Sequence, residues 1–363
     1  MSVLLTEKLN TLPRLSNRWL KINHHGFSGS ILLPSKPYGK DFLPDLADGK
    51  ILLEKIQNAQ VATLVPAIKY GVSDQAVKLA EEHSNGGFFL EIPRAHVQKE
   101  PIHIKYHLDD LDPVLYDHNL IIAGENSSAT VVIEFFGDQG EFYHNGVTKI
   151  FAEKGAQITI IKVQRLSDSS VHLDSNYTEL GSNAGVRHVQ VELGSKKSIT
   201  NYLAQIGVQS KALVDSMYLG SGERTLDLSY HMIHTGYRSA SNVLVKGVLK
   251  DKAKKVFRGT LDFKRGAHLA DGNEEEYVLL LDPTVKSDAV PLLLSEEDDV
   301  LGGHAASAGK IDPNDLFYLM SRGLSIEEAT LVLIKASYQP VLDLLPLNLR
   351  QSILEDLHQR LVI

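Results

Sequence analysis

The amino-acid sequence predicts a mainly β protein, a parallel β-helix followed by a helical segment. Three observations predict this fold: recurring β-rich runs, an evenly spaced alanine, and a change to helical periodicity after Gly309. The β-rich runs are TVVIEFF, QITIIKVQ, VRHVQVEL, ALVDSMYL, NVLVKGVL and KVFRGTLDF. Clusters of Gly, Asn, Ser and Asp separate these runs, as expected for short strands joined by turns.

The alanine gives the repeat its length. It recurs with spacings of 27, 28, 28, 28 and 27 residues, at Ala129, Ala156, Ala184, Ala212, Ala240 and Ala267. A unit of this length that contains only short strands is typical of a parallel β-helix, in which each unit forms one coil stacked on the last. Because alanine is a common residue, a β-sandwich stays the alternative fold.

The region before the repeat, residues 1–85, has a mixed pattern with helical signals. Ile51–Gln60 and Ser73–His83 carry apolar residues at helical spacing, and Ser73 is a suitable N-cap. The NGG sequence that starts at Asn85 then breaks the chain. We therefore expect an N-terminal mixed and helical region, followed by a β-helix core over residues 86–305.

The region after the repeat, residues 306–363, predicts a helical domain. Asp312 can cap a first helix that begins with Pro313 and stops at Gly323. The sequence SIEE, which starts at Ser325, is a capping box for a second helix.

The end of the second helix and the extent of a third complete this domain. Pro340 is expected to end the second helix. A last amphipathic helix is expected over Leu347–Leu361, with five apolar side chains on its inner face: Leu349, Ile353, Leu354, Leu357 and Leu361.

Composition excludes several functions. The formal charge of -8 and the pI near 6.0 argue against a nucleic-acid partner. The chain has no cysteine, which excludes disulfides, thiolate metal sites and cysteine nucleophiles, whereas its 15 histidines leave imidazole ligands available. The first residues lack the pattern of a secretory signal and no apolar run is long enough to span a bilayer, so we expect a cytoplasmic protein.

The stretch DDVLGGHAASAGKID has the glycines and lysine of a phosphate-binding loop. A Walker loop needs four residues between its first glycine and its Gly-Lys pair, then Ser or Thr for magnesium. Here Gly303 and Gly309 enclose five residues, and Ile311 follows the lysine. We reject this interpretation. The central residue, His304, is either a metal or thiolate partner or a loop histidine that bonds a carbonyl.

Two long C-terminal strings resemble a known family. FRGTLDFKRGAH and PLLLSEEDDVLGGHAASAGKIDPNDLFYLMSRGLS are similar to the SufB/SufD family of the SUF iron-sulfur assembly system. GGFFLEIPRAHVQKEPIHI resembles that family's entry into its β-helix, and the likeness covers most of residues 86–340. The resemblance implies a right-handed parallel β-helix between an N-terminal helical region and a C-terminal helical domain.

The resemblance also implies partners. Family members assemble with a SufB-like subunit and with the ATPase SufC, which docks on the C-terminal helices. This places candidate docking residues at Phe317, Tyr318, Arg322 and Gly323, although Arg322 can equally be a helix cap. Nucleotide hydrolysis would belong to SufC, and this chain would be a non-catalytic scaffold.

Within the family, the chain is more similar to SufD than to SufB. SufB-like subunits carry a sulfur-accepting cysteine and Glu-His-Glu where this chain has Gly303, His304 and Ala305. In SufD-like members the histidine faces a SufB cysteine across the interface where the nascent cluster forms. The resemblance thus makes His304 the interface and metal candidate, with no intrinsic cofactor and only transient iron or a nascent cluster. Many relatives read Cys-Ser-His-Gly here, so any role of that local thiol is lost.

Two alternative functions are retained. A carbohydrate-active β-helix enzyme needs carboxylates converging on successive coils. The residues after the repeat alanines form no acidic ladder: Thr130, Gln157, Gly185, Leu213, Ser241 and His268. A self-sufficient homodimer of this SufB/SufD relative would use its last coils as the interface.

Overall fold

The computed structural model describes residues 2–15, 22–46, 49–56, 66 and 68–361. Its body is a parallel β-solenoid of about eight turns, which confirms the predicted fold class. The strands in chain order are β1 Ser2–Leu9, β2 His25–Leu32, β3 Leu52–Lys55, β4 Phe88–Ile92, β5 Ile102–Leu108, β6 Val114–Leu115, β7 His118–Ala123, β8 Ser128–Gly137, β9 Tyr143–Ala152, β10 Gln157–Arg165, β11 Val171–Leu180, β12 Gly185–Glu192, β13 Lys197–Ile206, β14 Lys211–Gly220, β15 Thr225–His234, β16 Ala240–Leu249, β17 Lys254–Phe263, β18 Asp271–Leu280, β19 Lys286–Ser295 and β20 Leu301–Gly309. The helices are α1 Asp74–Glu82, α2 Pro313–Ser321, α3 Ile326–Leu342 and α4 Leu347–Leu361.

Two sheets form the walls of the solenoid. One has the order β20-β18-β16-β14-β12-β10-β8-β5, and the other has β19-β17-β15-β13-β11-β9-β7-β4-β3, with β6 on β9. From β7 onward consecutive strands alternate between the sheets, and every pair from β4 to β20 is parallel. This pairing excludes the antiparallel β-sandwich. The right-handedness of the coil stays a prediction.

The coils differ in length more than the alanine spacing suggests. Gln157 pairs with Gly185, Gly185 with Lys211, and Lys211 with Ala240, which are 28, 26 and 29 residues apart. Ala212 lies beside Val186, not beside another repeat alanine. The alanine spacing therefore gave the coil length but not the register.

Corner turns explain the Asn and Gly clusters between strands. Asn126, Gly155 and Asn183 occupy successive corners with φ values of 56°, 73° and 58°. This left-handed conformation costs glycine nothing, and asparagine tolerates it better than most residues do. The backbone N–H of Asn126 donates to Lys154 in the next corner, which links the turns as the sheets link the strands.

In the described part of the N-terminal region, one of the two predicted helices is present. The helix at Ser73 is confirmed: α1 begins at Asp74, and the Ser73 hydroxyl accepts from the N–H of Ala76. The helix predicted over Ile51–Gln60 is wrong where the chain is described, because Leu52–Lys55 is strand β3. Pairing with β4 overrides the local helical spacing there. Residues 57–60 of that prediction lie outside the described residues.

The C-terminal helices follow the capping signals closely. Asp312 caps α2, and the capping box at Ser325 opens α3. The prediction that Pro340 ends α3 is wrong, since the helix continues to Leu342. Burial of Val341 and Leu342 stabilises this last turn although Pro340 lacks an N–H. The predicted boundary at residue 305 falls inside β20.

Helices α3 and α4 pack on the outer face of the eight-stranded sheet. Apolar side chains of both helices and of strands β8, β10, β12, β14 and β16 form a second hydrophobic core there, outside the coil. The Tyr338 hydroxyl donates to the carbonyl of Tyr218 at 2.6 Å, which anchors α3. Across the described ranges, no helix combines the length and apolarity needed to cross a bilayer.

Candidate functional site

His304 lies on β20, the edge strand at the C-terminal end of the eight-stranded sheet. It pairs in register with Glu274 of β18, and paired residues of parallel strands share a face. Two residues before it, a Cβ at Gly302 would lie 2.6 Å from Leu293 Cδ1 and 3.2 Å from Phe263 Cε2, inside the coil. His304 therefore faces the interior at the open end, and it is exposed because no coil follows.

The alternative of a histidine tied to a carbonyl is not what the geometry shows. Within the part of the chain that the structure describes, the His304 ring forms no hydrogen bond or ion pair. The ring is free to meet a group that approaches the open end. We call the surface formed by the inner faces of β19 and β20 the mouth.

Below the mouth lies the last covered layer, formed by β17 and β18. Glu274 projects from β18 toward Gly259 on the opposite wall, where a Cβ would collide with the carboxyl group. Next to it, Glu276 accepts hydrogen bonds from Lys255 at 2.8 Å and from the Tyr218 hydroxyl at 3.1 Å. One carboxylate of this layer is thus satisfied by a cation.

Glu274 differs electrostatically from its neighbour. Burial raises the pKa of the Glu274 carboxyl to about 8, and the charge of Glu276 adds to this shift. At neutral pH a large share of Glu274 therefore carries a proton in the free chain. Glu274 was not predicted as a site residue, although the three consecutive acids of NEEEY were a usable signal.

Deeper coils contain a buried polar column that was also missed. His144 lies 2.5 Å from Asp117 through Nε2, and its Nδ1 lies 2.8 Å from Nδ1 of His172. Lys162 donates to Asp174 at 2.6 Å across the interior. Burial alone would raise the pKa of Asp174, but Lys162 holds it well below its usual range.

These interior groups had a visible signal in the sequence. Lys162 and Asp174 occupy the inward-facing strand positions that apolar residues take in coils nearer the ends of the solenoid. The column is closed to solvent and its members bond one another, so we interpret it as structural. Among the residues described, no group of three or more His, Asp or Glu side chains is placed to hold a metal.

The second predicted surface, on α2, is exposed. Phe317 and Tyr318 are 74% and 57% exposed, and α2 has no buried residue. Arg322 forms the C-cap through its backbone, and its guanidinium lies 5.3 Å from the Tyr318 ring centroid. Gly323 follows with φ of 98°, a conformation that favours glycine. Arg322 thus serves as a cap and still presents its charge outward.

A cavity of about 590 Å³ lies beside α2, between the helices and the edge of the solenoid. Its lining is mainly apolar and includes Leu281, Leu316, Ile326, Leu331, Ile334 and Leu361. The exposed aromatic residues of α2 and this cavity together form an uncovered apolar region of the helical segment.

Comparison with known proteins identifies the family. Residues 106–337 match the family described as SUF system FeS cluster assembly, SufBD core domain. The chain is 31% identical over 288 residues to the iron-sulfur cluster assembly protein SufD of Bacillus subtilis (strain 168), covering 77% of this chain and 66% of that protein.

Two relatives of lower identity carry the same family description. Iron-sulfur cluster assembly SufBD family proteins of Staphylococcus saprophyticus and Staphylococcus epidermidis are 28% and 27% identical over 303 residues. Each alignment covers 81% of this chain and 63% of the relative, so the chain spans about two thirds of the length of these proteins. The family match lies on the solenoid and on the helices that carry both candidate surfaces. The chain therefore belongs to the SufBD family of the SUF iron-sulfur cluster assembly system.

Proposed function

We propose that this chain is a SufD-like scaffold subunit that pairs with a SufB-like subunit through the mouth and binds a SufC ATPase through α2. In this role it has no catalytic cycle of its own. The observation that carries the proposal is the position of His304, which lies on an edge strand paired on one side only and faces a space that a partner can close.

The absence of cysteine supports a shared site. A persulfide or a cluster thiolate ligand needs sulfur, and this chain has none to give. His304 can contribute a neutral imidazole, which suits borderline metals such as iron. Sulfur must then come from the partner, and the transient iron or nascent cluster would lie between the two subunits as their product.

The free edges of β19 and β20 support the pairing surface. Nearly all residues of β20 are exposed, and in the described chain no strand pairs with the outer edge of either strand. Unpaired N–H and C=O groups on such long edges form a template for strands of another molecule. The same edges could join two copies of this chain, so a homodimer is the competing outcome.

Co-expression tests the assembly. We expect this chain, a SufB-like protein and a SufC-like protein to elute together from a sizing column. Elution of the chain by itself, as a monomer or a homodimer with its two candidate partners elsewhere, would contradict the proposal. Light scattering of the isolated chain separates the homodimer from the monomer.

Two separate histidine variants test the site. His304→Ala should lower cluster formation in the reconstituted complex while leaving complex formation intact, because the ring forms no hydrogen bond or ion pair with the described residues of its own subunit. His268→Ala is the control, since that histidine is also exposed and contacts only groups outside the mouth, the Asp299 carboxylate and the Tyr237 ring. Equal cluster yields from the two variants would show that His304 has no special role.

Variants of α2 test SufC docking. The double change Phe317→Ala and Tyr318→Ala should weaken SufC binding by about tenfold or more, as expected for exposed aromatic residues at an interface. Leu347→Ala is a control of equal exposure, 74%, at the start of α4. Unchanged affinity in the double variant would move the docking surface elsewhere.

A further inference from the structure

Glu274 is a buried carboxyl group without a hydrogen-bond donor. Its side chain belongs to a residue that is only 3% exposed, yet among the described residues no N–H or O–H group donates to it. Buried polar groups in folded proteins are nearly always satisfied, because an unpaired one keeps its full desolvation cost. Glu274 departs from this rule, and it lies directly below the mouth.

The surrounding residues leave space for the carboxyl group in the layer directly below the mouth. Gly259 has no side chain, and the Glu274 carboxyl occupies the space that a Cβ there would fill. One strand further on, His304 lies over Glu274 on the same face, and Pro291 lies over Gly259. Adjacent strands are about 4.8 Å apart, so an imidazole and a carboxyl group on neighbouring positions can reach one atom.

The charge of this layer favours a cation. Two carboxyl groups, Glu274 and Glu276, face the interior, whereas Lys255 is the single cation among the described residues that is bound to either of them. Lys255 lies 2.6 Å from Glu276, which also accepts from Tyr218. Glu276 is therefore satisfied, whereas no cation or hydrogen-bond donor among the described residues is bound to Glu274.

We propose that Glu274 and His304 together bind a divalent first-row transition-metal cation at the mouth. Imidazole nitrogen and carboxylate oxygen are a ligand pair that Fe²⁺, Co²⁺ and Zn²⁺ all accept. The remaining positions are filled by water in the free chain and by the partner's groups in the complex. This inference rests on the proposed function, because it adds a second ligand to the site assigned to His304.

Cobalt(II) binding to the full-length chain tests the proposal, with Co²⁺ as a spectroscopic substitute for Fe²⁺. We expect visible d–d absorption on titration, and a Kd that rises by about tenfold or more in Glu274→Gln and in His304→Ala. Glu275→Gln is the matched control, because Glu275 lies on the other face of the same strand and bonds Asn273 and Tyr277. Its Kd should equal that of the unmodified chain.

The outcomes separate this inference from the proposed function. Equal Co²⁺ affinity in Glu274→Gln and in the unmodified chain overturns the role of Glu274. Loss of affinity in His304→Ala alone leaves His304 as a ligand without Glu274. Absence of any Co²⁺ binding that depends on these two residues also overturns the inference. Co-elution with the SufB-like protein, measured separately, decides the proposed function, and thermal melting confirms that each variant is folded.

Discussion

The two ends of the solenoid are built differently. At the N-terminal end, β3 runs antiparallel to β4 and covers the edge of the ten-stranded sheet. The edge strand of the other sheet, β5, is covered by the segment around Tyr38 and Phe42, whose rings lie 5.7 and 4.8 Å from Tyr106. The hydroxyl of Tyr38 donates to the carbonyl of His107 and accepts from its N–H.

At the C-terminal end no such cover exists in the described chain. Leu293 is 47% exposed, whereas Leu261, its neighbour in the preceding coil, is 1% exposed. Repeat proteins need caps at both ends to stay soluble and monomeric. Among the described residues, aromatic side chains and a reversed strand cover one end of the solenoid, and the uncovered end is the one that we propose a partner completes.

The largest expected effect comes from breaking the covered end. Tyr106→Ala should lower the free energy of unfolding by about 3–5 kcal/mol, because a fully buried ring between Phe42 and Phe135 is removed. Urea denaturation monitored by circular dichroism measures the change. Tyr277→Ala, at a tyrosine 40% exposed on β18, is the control and should cost about 1 kcal/mol or less. A similar loss of unfolding free energy in both variants would show that the covered end is no more tightly packed than the open end.

An intermediate effect is expected from Glu274, and it depends on pH. The pKa of this carboxyl is about 8 in the folded chain, above its unfolded value, so the folded state holds the proton more tightly. Its contribution to stability is present below the unfolded pKa and is lost as pH rises through about 8. Glu274→Gln cannot ionise and does not lose this contribution.

Unfolding of the metal-free protein at two pH values checks the pH-dependent contribution of Glu274 to stability. Glu274→Gln and the unmodified chain should be similar in stability near pH 4, whereas the variant should be more stable by a few kcal/mol near pH 9, at about 1.4 kcal/mol for each unit of pKa shift. A difference that does not change with pH would mean that Glu274 titrates normally.

The sequence predicted those features that depend on local chemistry. The capping residues Asp312 and Ser325 located α2 and α3, and the turn residues located the corners of the coil. The Ile51–Gln60 prediction failed because pairing with β4, a distant partner, decides that segment. Local patterns contain no information about such a partner.

The site was predictable only in part. His304 was found through a resemblance, but its neighbour Glu274 depends on the register between β18 and β20, which are 30 residues apart at this position. Because coil lengths vary, a fixed period cannot place two side chains on adjacent strands. The packing of α3 and α4 on the outer face of the sheet was also not predicted. Truncation before Asp312 would expose that face, so variants of α2 are the sharper test of docking.

The smallest effect on stability is expected at the open end. Leu293→Lys should cost under about 1 kcal/mol, because this side chain is already half exposed and a lysine there can extend into water. The same change should abolish pairing with the SufB-like protein, since it places a charge inside the interface. Val208→Lys, at a corner residue 41% exposed, is the control and should leave both properties unchanged. If Leu293→Lys instead destabilises the isolated chain as much as Tyr106→Ala does, the mouth is already covered without a partner, and the difference between the two ends disappears.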